Sequence, residues 1–215
     1  MLQLKTFKNG IRAYLNGVPL SRKPVRLERA VQQRNAILKG GSADEIKSYS
    51  LSDSDIKQII PTLKIMSYPQ LLQHNHIDDV LDEKGRLMLL YLTEDENTGH
   101  WVCLLKRGNK IEFFDPYGNY KPDEQQEWLS DDKLEQFGQD TNHLTKLLGS
   151  SGYKVVYSKA PFQEDKKDIN TCGRHCATRL YFKHLSLPQY TQMVKDSGMS
   201  PDDFVSAFTF NMMRK

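Results

Sequence analysis

Apolar positions in the middle of the chain run at strand spacing. Residues 86–93, "RLMLLYLT", are almost uninterruptedly apolar, the pattern of a strand covered on both faces. The pattern returns in "HWVCLLK" (100–106), after the acidic, glycine-bearing turn "EDENTG". "KIEFFD" (110–115) follows after only "RGN", so the three segments predict an antiparallel meander. "YKVVYS" (153–158) predicts a fourth strand, and 159–171 a polar loop.

Helical spacing surrounds this block. In "LSDSDIKQII", Ser52 stands as N-cap with Asp55 three residues on, Ile56, Ile59 and Ile60 share a face, and Pro61 ends the run. A short helix is predicted at 68–73, and others at 123–129 and 131–149, the last on Leu134, Phe137, Leu144, Leu147 and Leu148. From 172 to about 185, Cys172, Cys176, Leu180 and His184 recur at steps of four, with Ala177 and Tyr181 beside them. A final helix is marked by Ser200 as N-cap, Pro201 in its first turn and Asp203 closing the box. This order predicts an α+β fold with a central, mostly antiparallel sheet flanked by helices.

Composition adds an asymmetry. The 215 residues suffice for one domain with a substantial core, and 38% hydrophobic with 27% charged residues is the balance of a globular chain. No apolar run reaches the roughly 18 residues of a membrane span, so no membrane partner is expected. "MLQLKTFKNG" lacks a long apolar stretch and a small-residue cleavage site, so no secretory signal is expected. Three cysteines, an odd number between 103 and 176, fit free thiols in a reducing compartment better than a secreted disulfide framework. Residues 1–41 hold nine Lys/Arg against Glu28 alone, a charge of +8, while the remaining 21 bases and 26 acids leave −5. A basic arm on a mildly acidic body suits nucleic acid or an acidic partner surface, and equally suits a solvated tail. The flexible "KGGSADE" (39–45) separates the two, which divides the chain into a basic N-terminal arm, 1–41, flexible or DNA-contacting, and a domain, 42–215.

Chemistry enters at three places. His100 begins a predicted strand and Asp115 ends the next, so a tight hairpin makes them neighbours at one end of the sheet. A carboxylate there can hold one ring nitrogen of a histidine while the other faces a nucleophile, although an Asp before a proline turn can also be a plain turn cap. Cys172 stands at a predicted helix start, where the positive end of the helix and a nearby imidazolium would both favour thiolate. The same position suits a small buried residue that merely begins a core helix. Gly173 leaves the backbone amides beside the thiol open to a carbonyl oxygen. Cys176, one turn deeper, and Cys103, on a buried strand, are read as core. Cys172, His175 and Cys176, with the pair His74 and His76, are the potential ligands of a zinc-bearing nucleic-acid module. They lack two paired clusters at zinc spacing, and no metal is expected.

His100-Trp101, then "FFD" at 113–115, then a loop glutamine, then "TCGRHC" at 171–176 resembles the adenain and ubiquitin-like-protein protease group of cysteine proteases, over residues 50–185. "FFDPYG" and "NTCGRHC" are most similar to its viral maturation branch, as in adenoviruses, virophages and polinton-type elements. The resemblance implies a cysteine protease fold with the nucleophile at a helix N-terminus. It implies Cys172 as nucleophile, His100 as general base, Asp115 as its orienter and Gln163 as a side-chain oxyanion donor, with no cofactor needed for chemistry. Gln163 stands nine residues before Cys172, where the family spaces six or seven, and "EDKKDI" reads as an insertion. Asn170 and the amides of Cys172 and Gly173 are the rival donors. Trp101 would help narrow a cleft that admits Gly-Gly ends, implying protein substrates such as capsid precursors, and "ILKGGS" (37–42) in the chain itself matches such a site at Gly41-Ser42. A monomer acting inside the virion and infected cell, with DNA or a peptide as activator and viral DNA bound through the arm, follows from that branch. Removal of ubiquitin-like modifiers, acetyl transfer on the same fold, and an inactive interaction protein are the alternatives.

Overall fold

The computed structural model describes residues 43–95, 98–118, 121–124 and 128–213, together with the backbone of three short strands among the first 19 residues. Those strands, β1 (Leu2–Phe7), β2 (Gly10–Leu15) and β3 (Val18–Pro19), pair antiparallel in a sheet of their own, where the sequence pattern had marked only an arm. The "ILKGGS" segment lies outside the described residues.

The main sheet has five strands in the order β4 (Ile65–Ser67), β5 (Arg86–Asp95), β6 (Thr98–Arg107), β7 (Lys110–Phe114) and β8 (Lys154–Tyr157). The predicted meander β5-β6-β7 is antiparallel, and both edge strands join it in parallel. The sheet is therefore mixed, antiparallel at its centre. The near-continuous apolar run of β5 has the expected cause, since successive residues enter different cores. Met88, Leu90 and Leu92 meet one cluster, and Leu87, Leu89 and Tyr91 the other.

Helices cover both faces. On one lie α1 (Ala43–Ser48), α2 (Asp53–Ile59), α7 (Cys172–Tyr181), α8 (Leu187–Asp196) and α9 (Pro201–Met213), and on the other α3 (Tyr68–Leu71), α4 (Ile77–Val80) and α6 (His143–Gly149). The architecture is the expected α+β one. Helix α2 begins with the capping box read from sequence, Ser52 and Asp55 each bonding the other's backbone amide. The helix predicted over 131–149 is two, α5 (Asp131–Gln136) and α6, because Gly138 and Asn142 take positive φ. The break serves β5. The Gln139 amide accepts from the Leu92 N–H at 2.8 Å and donates to its carbonyl at 3.0 Å, completing the ladder where β5 shifts register. The helix predicted at 123–129 is not formed at its start. Asp123 sits at φ 70 and accepts from the Tyr91 hydroxyl and from Thr145, contacts that helical backbone there would forfeit.

Helix α7 is buried from Cys172 to Leu180 on every side rather than along one stripe. Its charged residues and His175 are buried with partners, Arg174 at the Thr209 hydroxyl and His175 at Asp202. Arg179 forms a two-toothed pair with Glu112 of β7, at 2.6 and 2.8 Å, and donates to the carbonyls of Phe182 and Leu185. Those carbonyl contacts wind up the chain after Tyr181 and end the helix short of the predicted 185.

Candidate active site

Strand β6 brings His100 to one end of the sheet, and Asp115 follows directly on β7. The His100 Nε2–H donates to Asp115 Oδ1 at 2.9 Å, and the Tyr117 amide donates to the same oxygen at 2.9 Å. Asp115 is thus both turn cap and imidazole partner. Its own backbone is pinned by Ser158, just past β8, whose hydroxyl accepts from the Asp115 N–H at 3.0 Å and donates to its carbonyl at 2.8 Å. With Nε2 engaged, Nδ1 is the ring nitrogen left for Cys172, whose thiol is hydrogen-bonded to His100. The backbone amides of Trp101 and Gly173 also reach the sulfur.

The electrostatics separate this thiol from its neighbours. Burial by itself would raise the Cys172 pKa, yet the His100 hydrogen bond and charge, with the two amides, bring it below its ordinary value. Burial would likewise lower the His100 pKa, and the Asp115 carboxylate and Cys172 outweigh it, raising the imidazole to about 10. Both shifts favour the thiolate–imidazolium form of the pair. Cys176, only one turn on, has its thiol pKa pushed well up by burial and by Cys103, and its Sγ points to the Trp101 carbonyl at 3.3 Å. Cys176 and Cys103 lie in the core, as expected from sequence.

Two aromatic residues not singled out in the sequence hold the imidazole. Tyr117 stacks on it with centroids 5.0 Å apart, and Trp128 meets it edge-on at 5.6 Å. The phenol of Tyr117 is held protonated by burial and by the Cys172 charge, so it remains a donor. "DPYG" carried a faint signal, since the residue two past a turn-capping Asp has to lie over the same turn.

Gln163 reaches this stack in spite of its nine-residue distance from Cys172. The Pro116 carbonyl accepts the amides of both Phe162 and Gln163, at 2.7 and 2.9 Å, which zips the glutamine loop to the "DPYG" turn. "EDKKDI" is absorbed in tight turns, with Lys166 N–H donating to Glu164 O and Ile169 N–H to Lys166 O. The Gln163 amide then donates across the turn to the Ile169 carbonyl at 2.9 Å and to the Tyr117 hydroxyl at 3.2 Å. Asn170 faces elsewhere, its side chain donating to the Ser48 carbonyl at 2.9 Å and tying the loop to α1. Gly118 makes the zipper possible. It sits at φ +68, and a Cβ there would stand 2.5 Å from the Ala160 carbonyl carbon. Gly118→Ala should therefore cost on the order of 2–3 kcal/mol, read as a lowered urea midpoint, and a midpoint like wild type would refute that account.

Gly173 has a steric role beside the access expected of it, for a Cβ would meet Trp101 Cδ1 at 3.0 Å and Leu51 Cβ at 3.3 Å. Trp101 is itself buried, and with Leu51, Ile65, Met66 and Leu90 it borders a cavity of about 630 Å³. A larger cleft of about 940 Å³ opens beyond the His100 stack, between Tyr117, Trp128, Phe162, Gln163 and Asp202. The potential zinc ligands of this helix have separate partners: Cys172 has His100, His175 has Asp202 at 2.9 Å, and Cys176 has a carbonyl. Among the described residues no group of three or more His, Cys, Asp or Glu could hold a metal ion.

No family model matches the chain. Among solved structures it is similar to the central domain of the uncharacterized Lpg1148 protein from Legionella pneumophila, at 17% identity over 77% of this chain and 96% of that one, with a TM-score of 0.37. It is also similar to the C-terminal Ulp1 protease domain in complex with Smt3, the yeast ortholog of SUMO, at 10% identity over 91% and 100% of the two chains, with a TM-score of 0.36. A far nearer relative is the uncharacterized protein V9 of Sputnik virophage, 37% identical over 174 residues, which span 77% of this chain and 98% of that protein. With that identity across nearly the whole of the relative, the chain belongs to the family of the virophage protein V9.

Proposed function

We propose that the chain is a cysteine endopeptidase cutting at Gly-Gly-type sites, and that it matures capsid precursor proteins of a virus. The observation that carries the reading is the buried chain of hydrogen bonds from Asp115 through His100 to a Cys172 whose thiol is held low at a helix N-terminus. The Cys172 thiolate attacks the carbonyl carbon of the scissile peptide, and its electron pair forms the thioester carbon–sulfur bond. The oxyanion accepts from the Cys172 amide and from Gln163 Nε2, which exchanges its long bond to the Tyr117 hydroxyl for the better acceptor. His100 gives its proton to the departing amine, then takes one from the water that hydrolyses the thioester. No cofactor is needed for these steps.

The viral assignment draws on the "FFDPYG" and "NTCGRHC" resemblance and on a relative that is itself a virophage protein. Such an enzyme would work as a monomer inside the virion and the infected cell, and its basic arm would bind viral DNA or another acidic activator. Incubation with capsid-type precursors bearing Gly-Gly sites, and separately with ubiquitin-like fusions, tests the reading. Cleavage of the precursors by wild type and not by Cys172→Ala is expected, faster with added DNA and slower with salt. Selective cleavage of the fusions would make the chain a deconjugating enzyme instead. Acetyl transfer from a thioester donor, with neither protein cut, would end the protease reading.

A further inference from the structure

The start of α7 and the loop of Gln163 meet at one carboxylate that the proposed chemistry does not use. Asp202 lies in the first turn of α9 and is 5% exposed. Its Oδ1 accepts from the Thr171 hydroxyl, at the N-cap of α7, and from His175 Nε2–H at 2.9 Å, one turn inside that helix. Its Oδ2 accepts from the Glu164 amide at 3.0 Å, the residue next to Gln163. An Asp in a helix first turn ordinarily serves its own helix amides. Here the Ser200 hydroxyl does that, accepting from the Asp203 N–H at 3.1 Å and donating to the Asp203 carboxylate at 2.6 Å, which leaves Asp202 to reach outward.

The pair His175–Asp202 imitates His100–Asp115 but serves no nucleophile, because the neighbouring Cys176 thiol is turned to the Trp101 carbonyl. What the pair does is geometric. One oxygen is fixed to the helix that carries Cys172 and the other to the loop that carries Gln163, so the carboxylate sets the separation of thiol and amide. The Gln163 side chain has its own local hold on Ile169 and Tyr117, yet those partners belong to the loop and its neighbouring turn, not to α7. We propose that Asp202 is a positioning residue that holds Gln163 in register with Cys172 for oxyanion binding, a role resting on the reading of Cys172 as nucleophile.

Asp202→Asn separates the two halves of the contact at nearly constant volume. An amide has one accepting oxygen. With that oxygen kept on Glu164, the NH₂ can only donate, so the Thr171 hydroxyl must turn to accept and His175 Nε2–H loses its acceptor unless the ring changes tautomer; kept on Thr171 and His175, the oxygen gives up Glu164. With a fluorogenic Gly-Gly peptide, the substitution should lower kcat about tenfold with KM little changed in the wild-type background, and less than about twofold in a Gln163→Ala background. Amide hydrogen exchange across residues 163–171 should rise by about tenfold or more. An equal loss in both backgrounds, or unaltered exchange, would overturn the proposal. Thr171→Val, which removes one donor only, should show the same coupling more weakly and serves if Asp202→Asn folds poorly. Absence of any Cys172-dependent turnover in the unsubstituted protein would instead overturn the nucleophile reading and the catalytic role of Asp202 with it. The exchange measurement would then still decide whether Asp202 holds the loop.

Discussion

Alanine at His100 should reduce hydrolysis of a Gly-Gly peptide by about 10³–10⁴-fold and move alkylation of Cys172 to higher pH. Two losses combine. The leaving amine has no proton donor, and the thiol loses the hydrogen bond and charge that oppose its burial. The sign of the pH shift follows from the order of those effects. Burial raises the Cys172 pKa, His100 provides the two largest opposing contributions, and the amides of Trp101 and Gly173 alone are the weaker remainder. In wild type the alkylation rate should therefore rise below the ordinary thiol value of 9.0, and the ion-paired form should decline only as His100 deprotonates at about 10. In His100→Ala the rise should begin later. Mass-resolved labelling with chloroacetamide would check both, since Cys172 should outpace Cys103 and Cys176 in wild type and lose that lead in the variant. Equal labelling of all three thiols in wild type would remove the support for a nucleophilic Cys172.

The largest stability effect is expected at the other end of the same helix. Glu112→Ala leaves the Arg179 guanidinium fully buried without its carboxylate, which should cost about 3–5 kcal/mol. The carbonyls of Phe182 and Leu185 and the Tyr190 ring, 5.2 Å from the guanidinium, remain and keep the loss within that range. Replacing both members with methionine should recover most of the stability, because the cost lies in the isolated charge and not in the absence of the pair. Urea midpoints for the single and double variants decide this. A single substitution costing under about 1 kcal/mol would mean that water reaches Arg179. Since α7 carries Cys172 at its start, Glu112→Ala should also lower activity as the helix loosens.

The expected elements and the observed ones differ in a consistent way. Strands β5 to β8, the capped start of α2 and the start of α9 depend on neighbours two to four residues away, and the sequence displays those neighbours. The break between α5 and α6 has a local cue in Gly138 and Asn142, but it is held by Gln139 bonding Leu92, 47 residues upstream, which no local pattern announces. Strand β4 is three residues long and finds its identity only by pairing beside β5. The site divides along the same line. His100 and Asp115 were legible because a tight hairpin fixes what faces what. Asp202 was not, because "SPDD" reads as an ordinary helix start until the contact with Thr171 and Glu164 is known.

By itself, the sequence determined the α+β class, the central meander, the order His100, Asp115, Gln163, Cys172, and the contrast between a basic arm and an acidic body. These rest on spacing, capping and charge, which act over a few residues or add up regardless of arrangement. Only the tertiary structure decided that Cys172 has a lowered pKa and Cys176 a raised one, that the Pro116 carbonyl draws Gln163 to the Tyr117 turn, and that Gly173 makes room for an indole. Burial and hydrogen bonding between residues dozens of positions apart set those properties, and they exist only once the chain has packed.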